Sequence, residues 1–247
     1  MPRHAPFAVA VIALLVLTGC ADPAGSAPSQ TPAPAPAHSS SAGAAPTSQG
    51  MPSADPTEGW HVVETADGLF RWRVPADWTV VDASFEAEDG LGHVNDVTIV
   101  SDIGQELARF GSAYYGDRGG TCAGDEDGMV PALVHLDETV ALGGRQLSSA
   151  RGPAEAGRIV ALTSQFEGDR AQFFAGFTQD EVEADRVSCL IYGDVPVPEG
   201  YPQTSFRTTW DLALWEVDSF EQGAAYAETE EFRELMDVFR SLELTGA

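Results

Sequence analysis

The chain of 247 residues contains no lysine; all thirteen of its basic residues are arginine. That excludes Schiff-base chemistry and a lysine general base, and no phosphate-cradling loop ending in Gly-Lys-Ser/Thr can be built. Set against 38 acids, the arginines leave a formal net charge of −25. A surface this acidic repels nucleic acid and anionic lipid headgroups, so neither is expected as a partner. Histidine is scarce as well: beyond residue 58 only His61, His93 and His135 occur, and there is no His-Glu-x-x-His. No Gly-x-Ser-x-Gly elbow is present, and Gly111-Ser112-Ala113 lacks its spacing. The three cysteines form no Cys-x-x-Cys pair, which argues against redox exchange and a zinc site. The apolar run from Phe7 to Leu17 is too short to stay in a bilayer as a spanning helix.

That run has another use. Arg3 and His4 precede it, and it closes on Leu17-Thr18-Gly19-Cys20. A charged start, a short apolar core and small residues before a cysteine resemble the signal peptide and lipobox of bacterial lipoproteins. The resemblance implies that residues 1–19 are a signal peptide and that Cys20 becomes the lipidated first residue. The chain would then sit on the outer face of the cytoplasmic membrane, held by its lipid. The alternative is an ordinary secretory signal cut elsewhere. Absence of lysine with abundant Ala, Gly and Arg fits GC-rich coding and an actinobacterial source.

Residues 20–58 are mostly Pro, Ala, Ser, Thr and Gly, with almost no large apolar side chain. Such a segment buries too little surface to offset its chain entropy and is expected to be a disordered tether. As a flexible coil it spans about 35 Å. The remaining cysteines, Cys122 and Cys189, lie in a part of the chain expected to be exported, where thiols oxidise. A disulfide between them would close a loop of about 68 residues, worth roughly 4 kcal/mol on the chain-entropy model.

From residue 59 to 247 the texture is that of one globular domain. Leu69 to Val74 alternates, with Phe70, Trp72 and Val74 on one face. Trp78 to Val81 resumes after Pro75, and Val97–Val100 with Glu106–Phe110 predicts a hairpin across Asp102-Ile103-Gly104. A second hairpin joins a strand carrying Val160, Leu162 and Phe166 to one carrying Phe173, Ala175 and Phe177, with Glu167-Gly168-Asp169 as its turn. Val187 to Tyr192, apolar on both faces, predicts an interior strand. Near the C-terminus, Thr229 as N-cap, Glu230 and Glu231 in the first turn, and Phe232, Leu235, Met236 and Phe239 at helical spacing predict an amphipathic helix. Ser241-Leu242-Glu243-Leu244 predicts a closing strand. The expected fold class is α+β, a mostly antiparallel sheet with the C-terminal helix packed on it.

Phe70-x4-Pro75-Ala76-Asp77-Trp78 at one end and the helix running into Ser241-Leu242-Glu243-Leu244 at the other resemble the PsbP/Mog1-type fold. That resemblance covers the two ends of the domain. It implies an α/β/α sandwich in a family better known for binding and scaffolding than for catalysis, and it transfers no catalytic residue.

The remaining candidates for function are few. Gly124-Asp125-Glu126-Asp127-Gly128 sets three carboxylates in a glycine-flanked turn, a candidate Ca²⁺ loop through Asp125, Glu126 and Asp127, although Val134 stands where a closing Glu belongs. An acidic solvated loop is the competing reading. The glycine-rich stretch Gly111–Pro131 carries Tyr114, Tyr115 and Cys122, and loops of that length are often functional. The two tyrosines are candidate contacts for a ligand or partner. The five tryptophans, Trp60, Trp72, Trp78, Trp210 and Trp215, have the right faces for stacking on sugars, but in strands they read as core. No cofactor motif is present. The expectation is a cell-surface binding or envelope-accessory module without catalysis, its ligand or protein partner unknown. The alternatives are an envelope hydrolase using paired carboxylates and an acidic subunit docking a basic partner.

Overall fold

The short-range periodicities noted above become strands whose partners lie far along the chain. The computed structural model describes residues 55–88, 92–112, 124–125, 127–143, 147–149, 152–165, 170–189, 191 and 193–245. The first strands are β1 His61–Glu64, β2 Phe70–Val74, β3 Thr79–Asp82, β4 Phe85–Glu86, β5 His93–Val94, β6 Asp96–Val100 and β7 Glu106–Gly111. Then come β8 Met129–Val140, β9 Leu147–Ser149, β10 Gly152–Ala154, β11 Gly157–Gln165, β12 Ala171–Phe177 and β13 Arg186–Ser188. The last third holds β14 Asp194–Val195, β15 Val197–Pro198, β16 Thr204–Thr208, α1 Leu212–Trp215, β17 Glu216–Val217, α2 Phe220–Ala227, α3 Glu230–Arg240 and β18 Glu243–Leu244. All described residues belong to one compact unit, Met51–Ala247. Among them no helix is long and apolar enough to cross a membrane.

The main sheet has ten strands in the order β13-β8-β11-β12-β16-β7-β6-β3, with β14 against β16 and β17 against β12. Its pairings are antiparallel. The expected fold class is therefore observed. Both hairpins form: β6 pairs with β7, and β11 with β12. The turn residues of the second hairpin, with Phe166, lie outside the described residues.

One face of this sheet meets α2, α3 and a small sheet of order β1-β2-β18. Phe70, Trp72 and Val74 point into that layer, as their alternation predicts, and are fully buried. Trp72 stacks on Phe110 at 4.8 Å, and Phe239 meets Phe206 edge to face at 4.8 Å. Helix α3 begins where predicted: the Thr229 hydroxyl accepts from the Phe232 N–H at 3.1 Å. It ends at Ser241, whose hydroxyl donates to the Val238 carbonyl at 2.7 Å and accepts from the Arg73 N–H at 2.8 Å. Five buried side chains, Phe232, Leu235, Met236, Val238 and Phe239, make its inner stripe. Helix α2 comes so close to β11 that a Cβ on Gly223 would overlap the Thr163 side chain.

Four expectations differ from the structure. Val187–Tyr192 is not an interior strand: β13 covers only Arg186–Ser188, pairs with β8 at the end of the strand order, and on its other side meets only an isolated bridge from Val187 to Val182 among the described residues. Its apolar residues Val187 and Ile191 instead help cover the second face of the sheet. The long loop Gly111–Pro131 is shorter, because β7 runs through Gly111 and β8 starts at Met129. The tether ends sooner than composition suggests, since Asp55 and Thr57 accept from the Arg73 guanidinium at 2.8 and 2.9 Å. The sandwich implied by the family resemblance has a helical layer on one side only among the described residues. The second face is covered by its own small cluster, Val130, Ala132, Val160, Leu162, Phe174 and Val187.

Candidate functional site

Several residues singled out from the sequence fall where the structure says nothing of them: Cys20, Tyr114, Tyr115, Cys122 and Glu126 lie outside the described residues. Asp125 and Asp127 are described. Asp125 Oδ1 accepts from the N–H groups of Asp127 and Met129, both at 3.0 Å, and Oδ2 takes the Arg186 guanidinium. Those backbone donors, then the arginine, outweigh desolvation and hold the carboxyl below the usual range. Asp125 therefore closes its own loop and ties it to β13. Among the described residues no group of three or more metal-ligating side chains converges.

The three histidines stand apart. His61 Nε2 bonds the Ala76 carbonyl at 2.8 Å, and His93 Nδ1 bonds Glu86 at 2.9 Å. His135 occupies the bulge of β8 opposite Ala161 and Leu162, stacked on Phe173 at 5.5 Å. Its Nε2 lies 2.8 Å from the Thr163 hydroxyl, and burial lowers its pKa. Among the described residues no histidine bonds a serine hydroxyl.

A polar cluster braces one end of the core. Asp67, in the β1–β2 turn, takes the Thr65 hydroxyl at 2.6 Å, the Leu69 N–H at 3.0 Å, Asn95 Nδ2 at 3.2 Å and the Tyr201 hydroxyl. Asn95 Nδ2 also donates to Ser112 Oγ at 2.6 Å. Burial alone would raise the Asp67 carboxyl, but its donors outweigh that and lower it. Burial, reinforced by Asp67, pushes the Tyr201 phenol up. Four segments are joined by this cluster, within which Asn95 Oδ1 is buried without a hydrogen-bond partner. Its role is structural.

The unusual group lies on β16. Phe206 and Arg207 are neighbours on opposite faces: Phe206 is at the centre of the aromatic core, and Arg207 points to the second face beside Phe174. Arg207 is only 4% exposed. Its Nε donates to the Thr208 carbonyl at 3.0 Å and Nη1 to the Ile191 carbonyl at 3.5 Å. No carboxylate pairs with it among the described residues, and Nη2 has no partner there. Asp194, buried on adjoining β14, bonds Gln203 rather than Arg207. Desolvation alone pulls the guanidinium pKa down to about 9, so it stays charged at neutral pH.

The chain around Arg207 is shaped for it. Strands β12 and β16 meet in register only where Gly176 faces Arg207. A Cβ on Gly176 would lie 2.5 Å from the Arg207 Cα, and one on Gly193 would lie 2.6 Å from its Cβ and Cδ. Only glycine fits at either position. Over the guanidinium lies Trp210, its ring centroid 3.4 Å from Cζ. Trp72 in β2, Trp78 just before β3 and Trp215 at the end of α1 are buried, but Trp210 is 62% exposed. Sequence reasoning included Trp210 among possible stacking residues and missed Arg207. No hydropathy pattern marks a buried arginine.

Comparison with protein families, with curated proteins and with solved structures finds no match. The likeness to PsbP/Mog1-type proteins thus rests on the two end motifs of the sequence, and the functional reading rests on the geometry just described.

Proposed function

We propose that this chain is an exported, lipid-anchored binding module of the bacterial envelope. The lipobox supports the location: Cys20 carries the lipid, and the Pro/Ala/Ser-rich segment after it tethers the domain to the outer face of the cytoplasmic membrane. The observation that carries the binding role is Arg207, a charge buried beneath an exposed tryptophan with no protein counter-ion among the described residues. Burying an unpaired ion costs several kcal/mol, and two cation–π contacts return about 1–2 kcal/mol each. A fold that keeps such a group gains it elsewhere, and a bound ligand supplies the missing partner.

Cys122 and Cys189 are proposed as the disulfide. The Cys189 N–H donates to the Gly128 carbonyl at 2.9 Å. Gly124, two residues beyond Cys122, lies so close that a Cβ on it would sit 2.6 Å from the Gly128 carbonyl carbon.

The test is native mass spectrometry of the full chain, expressed with its own leader and released from membranes in mild detergent. A reproducible excess mass beyond the lipid, lost on denaturation, is expected. A chain that carries only its lipid and nothing further contradicts the binding role.

A further inference from the structure

We infer that the Nη edge of Arg207 is an oxyanion-binding site, roofed by Trp210, that takes a small singly charged ligand such as a carboxylate. The inference rests on the reading of the domain as a binding module and names the chemistry of what it binds.

Donor counting points to an oxyanion. A guanidinium has five N–H donors in a planar fork. Here Nε is committed to a backbone carbonyl, Nη1 makes one long contact, and Nη2 makes none among the described residues. What remains is Nη2 with no donor committed among the described residues, beside an Nη1 that holds one long contact, the end of the fork from which a carboxylate or phosphate oxygen can accept. The stem cannot swing away to find another partner, because the backbone at Gly176 and Gly193 packs against its Cα, Cβ and Cδ. A surface arginine is adaptable; this one is held in place before any ligand arrives, which lowers the entropy lost on binding.

Charge sets the size of the ligand. With a net charge of −25 the chain repels polyanions at long range, so a ligand of many charges is disfavoured and one of single charge is not. Trp210 then supplies contact area. One face of its ring covers the guanidinium and the rest is open to solvent, so an apolar group beside the oxyanion has a surface to pack on.

Thermal unfolding of the full chain tests this with benzoate, acetate and inorganic phosphate at millimolar concentration, each against chloride at matched ionic strength. Wild type is expected to gain a few degrees with benzoate, less with acetate, and least with phosphate. Arg207→Met is expected to unfold at the wild-type temperature or above it, because an unpaired buried charge has been replaced by a side chain of similar length, and to show no benzoate shift. Trp210→Ala, a change at an exposed site, is expected to keep the fold and weaken benzoate binding about three- to tenfold. The inference is overturned if Arg207→Met unfolds well below wild type or fails to fold, since the arginine is then structural. It is also overturned if benzoate shifts wild type and Arg207→Met alike, which means an adventitious ion only, or if Trp210→Ala binds as tightly as wild type. If no anion shifts wild type while the native mass spectrum still shows an excess mass, the oxyanion site fails and the binding module stands.

Discussion

The two faces of the main sheet obey different rules, and strand β16 shows both within two residues. On one side Phe206 sits among Trp72, Phe110, Phe177 and Phe239, in a layer sealed by α3 and the small sheet. On the other side Arg207 lies at the margin of a much smaller cluster, its charge unmatched among the described residues. The first face accounts for why the chain folds. The second is poorly explained by stability, and a position that weakens the fold is where a function is to be sought.

Truncation should separate the faces most clearly. Phe206→Ala leaves a cavity in a close-packed aromatic cluster and should cost about 3–5 kcal/mol, read by denaturant unfolding. The same assay on Arg207→Met should show no loss; a loss of equal size would erase the contrast between the faces. The next largest effect concerns the cover of the second face. Cys189 packs beside Val130 and Val187, and Cys189→Ser should lower stability by about 2–4 kcal/mol if the proposed disulfide forms. Finding Cys122 and Cys189 both freely alkylated in the native exported protein contradicts that pairing.

A smaller effect belongs to the rim of the core. Asp67→Asn weakens four hydrogen bonds at an exposed turn and should cost about 1 kcal/mol. Because the folded-state pKa of Asp67 is lowered, its contribution is complete above the ordinary carboxylate pKa and disappears as pH falls through the lowered one. The mutant and wild-type curves should therefore converge in acid. Smallest is the solvent side of α3. Burial, then repulsion from Asp77, Glu230, Asp102 and Glu231, raises the Glu234 carboxyl, so its ionised form opposes folding. Glu234→Gln should stabilise by a few tenths of a kcal/mol at neutral pH, screened as surface charges are. That gain should vanish once the pH falls below the usual glutamate range.

How much of this was legible in the sequence depends on how local the signal was. Strand β2 and helix α3 announce themselves because their buried residues repeat at two and at three to four positions, and Thr229 marks the helix start. Strand β8 did not, although it lies next to one edge of the sheet, because Pro131 interrupts it and the bulge at His135 shifts its alternation midway. Strand β16 reads Thr-Ser-Phe-Arg-Thr, four polar residues of five, yet four of the five are buried. Its burial comes from β7, β12 and β14, which are distant or only partly apparent in sequence. The candidate site was hidden for the same reason. Arg207 resembles any surface arginine until tertiary packing encloses it, and only Trp210, a large aromatic after a polar run, hinted at it.

The most direct measurement is native mass spectrometry of wild type and Arg207→Met, exported and released in parallel. The account predicts an excess mass on wild type that Arg207→Met has lost while remaining folded. The same excess mass on both proteins, or none on wild type, would contradict it.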